Sequence, residues 1–144
     1  MKYILAALVL TFSMQSSADS WLCITDHAAG MNLKNGGWES ERITPGDKYL
    51  IKEAESYLKS DGYVYQVQSF GDDLALWVCG DFGSDEYSEG NLVCDGLIPG
   101  GTFKVNPSNG HFLATRTYGY VTDDDDGSVS TDTPMVQIGK CAKI

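Results

Sequence analysis

Four cysteines, two histidines and 20 carboxylates are the residues of this chain whose types could support covalent, metal or acid–base chemistry. The cysteines are Cys23, Cys79, Cys94 and Cys141. A structural zinc site draws its ligands from closely spaced Cys and His pairs. No Cys-x-x-Cys occurs here, and His27 and His111 are the only histidines, so neither a metal nor any other cofactor is expected. An even set of cysteines in an exported chain predicts two disulfides instead. Of the three possible pairings, Cys79 with Cys94 closes a short loop over a Gly-rich, acidic turn. Cys23 with Cys141 ties the two ends of the mature chain together. These are the expected bonds, and they leave no thiol to act as a nucleophile.

The carboxylates include the run Asp123 to Asp126, followed by Gly127. A calcium loop of the EF-hand type with Gly127 at its sixth place would begin at Thr122 and end at Thr133, where acids are required. The pattern fails at both ends, and a solvated hairpin tip is expected. Asp81-Phe82-Gly83 matches a kinase magnesium motif by letters alone, without a phosphate loop or a catalytic Asp-Asn loop. No Gly-x-Ser-x-Gly elbow exists, and His27 beside Asp26 would sit on opposite faces of a strand. Paired acids such as Asp72 with Asp73, Asp85 with Glu86, or Glu39 with Glu41 would serve a glycoside hydrolase only if the fold set two across a cleft. An envelope glycan hydrolase is therefore the alternative to a non-catalytic domain.

Aromatic residues offer a third possibility. Tyr63 and Tyr65 share one face of an alternating segment, as do Tyr118 and Tyr120, and Arg116 falls on the aromatic side between Ala114 and Tyr118. In a hollow barrel these residues would line a site for a small apolar or sugar ligand; in a filled one they would be core. Tyr63, Tyr65, Arg116, Tyr118 and Tyr120 are thus the candidate contacts for a ligand or partner.

The chain begins Met1-Lys2, continues with an apolar run from Tyr3 to Phe12, and then has Ser13 to Ser17 and Ala18. A charged start, an apolar middle and a small-residue exit predict a secretory signal over 1–18 and a single β-rich mature domain over 19–144. The apolar run is about half the length that crosses a bilayer as a helix, so no membrane insertion is expected after cleavage. Trp21 and Leu22 are too bulky for Cys23 to carry a lipid. Loss of Lys2 moves the formal charge from −10 to −11. Nucleic acid and anionic lipid would be repelled by that charge, whereas a basic protein would be attracted. The address is exported, periplasmic or secreted.

Turn signals punctuate the mature chain: Asn35-Gly36-Gly37, Pro45-Gly46-Asp47, Asp61-Gly62, Gly71-Asp72, Pro99-Gly100-Gly101, Asn109-Gly110 and Asp126-Gly127. Their spacing is that of short strands. Strands are predicted over 22–25, 38–43, 48–52, 63–70, 74–79, 91–94 and 135–138. The stretch Gly101 to Tyr120 is predicted as a hairpin turning at Pro107-Ser108-Asn109-Gly110. Tyr63, Tyr65 and Val67 share one face of their strand, and Gln66 and Gln68 share the other. Only 52–60 invites a short helix. The fold class is all-β: a small antiparallel barrel or a two-sheet sandwich of about seven to nine short strands, stapled by disulfides.

The pattern resembles a group of small exported bacterial proteins of uncharacterised function. The resemblance is carried by Cys23, Gly30, Trp38, Tyr49-Leu50-Ile51-Lys52, Cys79, Cys94, Gly101-Thr102-Phe103, Asn106, Gly119-Tyr120, Asp132-Thr133-Pro134 and Ile138-Gly139-Lys140-Cys141. It spans nearly the whole mature chain and implies export, but it brings no functional residue with it. The expected function is that of an acidic, non-catalytic binding domain, an inhibitor or immunity-like protein for a basic partner.

Overall fold

The computed structural model describes residues 19–83, 89–97, 101–117 and 134–144. The proposed signal over 1–18, the acid pair Asp85 and Glu86, the run Asp123 to Asp126, and Tyr118 and Tyr120 lie outside the described residues. The strands are β1 (Trp21–Lys34), β2 (Gly37–Ile43), β3 (Lys48–Glu53), β4 (Tyr65–Ser69), β5 (Ala75–Cys79), β6 (Leu92–Gly96), β7 (Thr102–Val105), β8 (His111–Arg116) and β9 (Met135–Lys143). A single-turn helix, α1 (Ser56–Ser60), follows β3.

All pairings are antiparallel, in the order β2-β1-β3-β4-β5-β6-β7-β8-β9, and β1 also pairs β9. That last pairing closes β1 and β3 to β9 into an eight-stranded barrel, which decides between barrel and sandwich. The strand β2 is extra. It pairs the second half of β1 (Ala28↔Ile43 to Lys34↔Gly37), whereas β3 pairs the first half (Trp21↔Ile51 to Ile24↔Lys48).

Strand β1 runs nine residues past the predicted 22–25 stretch, because a register shift and a glycine hide its strand character. Its register with β9 shifts between Thr25 and His27, so alternation breaks at Asp26. Gly30 has no side chain to show a face; a Cβ there would meet the Pro134 carbonyl oxygen at 2.5 Å. The β1–β2 turn has Asn35 and Gly36 at φ 51° and 80°, the doubly positive pair that a tight hairpin with the right twist requires.

Eight strands leave an interior that side chains just fill, and here they fill it. Tyr49, Ile51, Val67, Trp77, Leu92, Phe103, Val105 and Phe112 are all buried. Tyr49 is the hub: its ring meets those of Trp77, Phe103 and Phe112 edge-on at 5.4, 5.7 and 6.1 Å, the geometry ring quadrupoles favour. Both expected disulfides are present, Cys23–Cys141 and Cys79–Cys94. Each joins residues directly opposite in register, across β1–β9 and β5–β6. Two disulfides are consistent with an oxidising, exported environment.

A second, smaller core lies outside the barrel wall. Ala54, Leu58, Ala75 and Val78 are buried there, with Tyr63 packed against them. The predicted helix shrinks to one turn because Lys52 and Glu53 stay in β3, paired with Gln66 and Tyr65. That turn still covers the outer face of β4. Gln66 and Gln68, expected on a wetter face, are consequently buried. They are satisfied in a chain: Glu55 N donates to Gln66 Oε1 at 2.9 Å, Gln66 Nε2 donates to Gln68 Oε1 at 3.1 Å, and Gln68 Nε2 donates to the Asp72 carbonyl. Buried amides without such partners would each cost about 1–3 kcal/mol.

The β7–β8 hairpin forms as predicted, with Asn106 Oδ1 accepting from Ser108 N and Asn109 Oδ1 from His111 N, both at 2.8 Å. Its second strand is described to Thr117. Strand β9 extends to Lys143, five residues past the predicted end.

Candidate functional site

Three places in the described residues combine geometry with chemistry: a polar cluster inside the barrel, an aromatic cleft at its end, and the outer face of β7, β8, β9 and β1.

The polar cluster surrounds the Tyr49 hydroxyl. Tyr49 donates to Gln137 Oε1 and, at 3.3 Å, to Asp47 Oδ2. Gln137 Nε2 donates to the same Asp47 carboxylate. Arg116 Nη2 donates to the Tyr49 oxygen at 3.4 Å, and its guanidinium lies 5.9 Å from the Trp77 ring centre. Burial, opposed by Arg116 and reinforced by Asp47, pushes the Tyr49 phenol up to about 12. Arg116 thus reaches both a ring and a hydroxyl. Gln137 was missed, because nothing local distinguishes it from a solvent-facing strand residue.

The cleft, of about 370 Å³, is lined by Trp21, Phe82, Val105, Pro107, Asn109, Gly110, Cys141 and Lys143. Trp21, Tyr65 and Phe82 form a triangle with centroid separations of 5.8, 5.3 and 5.3 Å. Lys143 Nζ sits 5.9 Å from the Trp21 ring centre and pairs with Asp19 at 2.5 Å. Burial raises the Tyr65 phenol, as do Asp81, Asp19 and Glu53, against Lys143. Tyr63, the other described tyrosine candidate, belongs to the small outer core and not to this cleft.

On the outer wall, opposite residues of antiparallel neighbours project to the same side. One row runs Lys104, Leu113, Ile138, His27. The next runs His111, Lys140, Ile24, Lys48, and the row on the other side runs Thr115, Val136, Ala29, Arg42. Ile24, Leu113, Val136 and Ile138 remain 39–47% exposed. A shallow hollow of about 390 Å³ is lined by His27, Ala28, Ala29, Arg42, Val136 and Ile138. Asp26 and His27 are both exposed at the edge of this face, where the β1 bulge breaks the strict alternation.

The acid pairs scatter. Glu39 and Glu41 lie on one face of the β1–β2 hairpin. Glu41 accepts from Asn32 Nδ2 at 2.8 Å and Lys34 Nζ at 3.1 Å, which hold its carboxyl below the usual carboxylate range. Asp72 and Asp73 are exposed in the β4–β5 turn. The described residues bring neither pair to the cleft.

No family model matches the chain, no curated protein matches it, and no solved structure matches it.

Proposed function

We propose that the chain is an exported, non-catalytic binding domain that meets a protein partner with the outside of its barrel. The carrying observation is the distribution of apolar side chains. The interior is filled by its own aromatic and aliphatic residues, while Ile24, Leu113, Val136 and Ile138 form a contiguous exposed group on neighbouring strands. Contiguous exposed apolar patches mark interaction sites. A domain of this kind acts by occupying its partner, as an inhibitor or an immunity protein does.

Affinity capture from an envelope fraction tests this, using the oxidised wild-type protein beside a Val136→Glu/Ile138→Glu variant. A partner held by the wild type and lost by the variant supports the outer-wall reading. The same captured set on both rejects it.

The aromatic cleft favours a second reading, in which a small ring-bearing or sugar ligand stacks on Trp21. Its volume falls within the range of about 300–1,000 Å³ usual for such sites. Titration of tryptophan emission with soluble glycans would then give a saturable change that Trp21→Ala abolishes.

A further inference from the structure

We propose that the outer face of β7, β8, β9 and β1, with the flanking residues Arg42 of β2 and Lys48 of β3, docks an acidic protein surface. This rests on the outer-wall reading and names the partner's chemistry. The described residues include nine Lys and Arg. Lys34, Lys52, Lys59 and Lys143 are held in ion pairs with Glu41, Glu55, Glu53 and Asp19. Arg116 is turned onto Tyr49 and Trp77. The remaining four are Arg42, Lys48, Lys104 and Lys140. Among the described residues none of these four has a carboxylate partner, and all four stand on this one face.

Their placement is that of a rim. Lys104 and Arg42 end their rows, Lys140 and Lys48 flank Ile24, and the aliphatic residues lie between. Among the described residues, carboxylates approach only at the margins, with Asp26 at the bulge and Asp95 on β6 opposite Thr102. A chain of formal charge −10 therefore presents one face that is apolar at its centre and cationic at its edge. Net charge alone points to a basic partner; at this face the local charge points the other way.

An apolar centre with a charged rim is the anatomy of a protein interface, and a complementary partner carries carboxylates around an apolar patch. A nucleic acid or other polyanion would want its cations at the centre, where this face has Ile138 and Val136. An anionic bilayer would be repelled by the rest of the chain. A two-fold self-association through this face would set its cations near their own copies.

The test uses the isotope-labelled, oxidised full chain. It is titrated with a short peptide alternating leucine and glutamate, its leucine–lysine counterpart, phosphatidylglycerol vesicles and a heparin oligosaccharide. The leucine–glutamate peptide is expected to move the amide signals of Leu113, Val136 and Ile138. Its affinity should fall about tenfold in Lys104→Glu/Lys140→Glu, whose exposed side chains leave the melting temperature unchanged. Equal shifts with the lysine peptide, or indifference to charge reversal, would overturn the acidic partner and leave the outer-wall reading standing. A response to vesicles or heparin alone would overturn it in favour of a bilayer or a polyanion. If no probe moved signals on this face, both the proposal and the reading beneath it would fall.

Discussion

Removing the Cys23–Cys141 disulfide is expected to destabilise the barrel more than removing Cys79–Cys94, although the two bonds are chemically alike. The first spans 118 residues and the second 15. Loop-closure entropy in the unfolded chain then assigns them about 5 and about 3 kcal/mol at 25 °C, a gap of about 2. Packing works against that gap. Cys79 and Cys94 are both fully buried, whereas Cys141 is partly exposed, so alanine leaves the larger void at the short-loop pair. With about 0.8 kcal/mol per buried methylene-sized group, the net difference settles between about 1 and 2 kcal/mol. The assay is urea unfolding of Cys23→Ala/Cys141→Ala and Cys79→Ala/Cys94→Ala, followed by tryptophan emission and compared at equal slope. Equal midpoints, or a greater loss from the short-loop pair, would refute chain entropy as the dominant effect. The location of the long-loop bond makes the test sharper: Cys23 and Cys141 face each other across β1–β9, the pairing that closes the ring.

Four further outcomes follow from the same packing. Gly139→Ala would set a Cβ 2.0 Å from the Ile24 carbonyl oxygen and 2.6 Å from Phe112 Cε1, overpacking the closing seam at a cost of about 3 kcal/mol by denaturant titration. Gly46→Ala, with open space around it, should stay within about 0.5 kcal/mol. Raising the pH should destabilise the protein through Tyr49. Its phenol ionises near 10 when unfolded and about 12 when folded, so its stabilisation is complete below pH 10 and is lost, by about 3 kcal/mol in all, as pH rises through 12. Melting curves across that range should lose this dependence in Tyr49→Phe. Leu58→Ala, in the small outer core, should cost about 2–3 kcal/mol, with amide exchange accelerating in α1 and at Gln66 before the barrel interior.

What could be read from the chain alone was whatever the physics makes local. Strand alternation, the turn residues with obligatory backbone angles and the short loop closed by Cys79 and Cys94 are short-range properties, and they survive in the structure as β3 to β8, the Asn35-Gly36 turn and that disulfide, while the Cys23–Cys141 bond follows from the even set of cysteines. Closure was not legible, because the β1–β9 pairing joins residues at opposite ends of the chain and leaves no periodic trace in either strand. Burial of Gln66 and Gln68 was hidden for a related reason: a single helical turn from another segment covers them, and polar type predicted water instead. The candidate docking face is the extreme case. Arg42, Lys48, Lys104 and Lys140 come from four strands and have nothing in common in sequence except being outvoted by carboxylates. Only the register sets them around Ile138, and a register that slipped by one residue would turn every one of them to the other side of the wall. The charge on this face is thus a property of strand pairing, and composition points the opposite way.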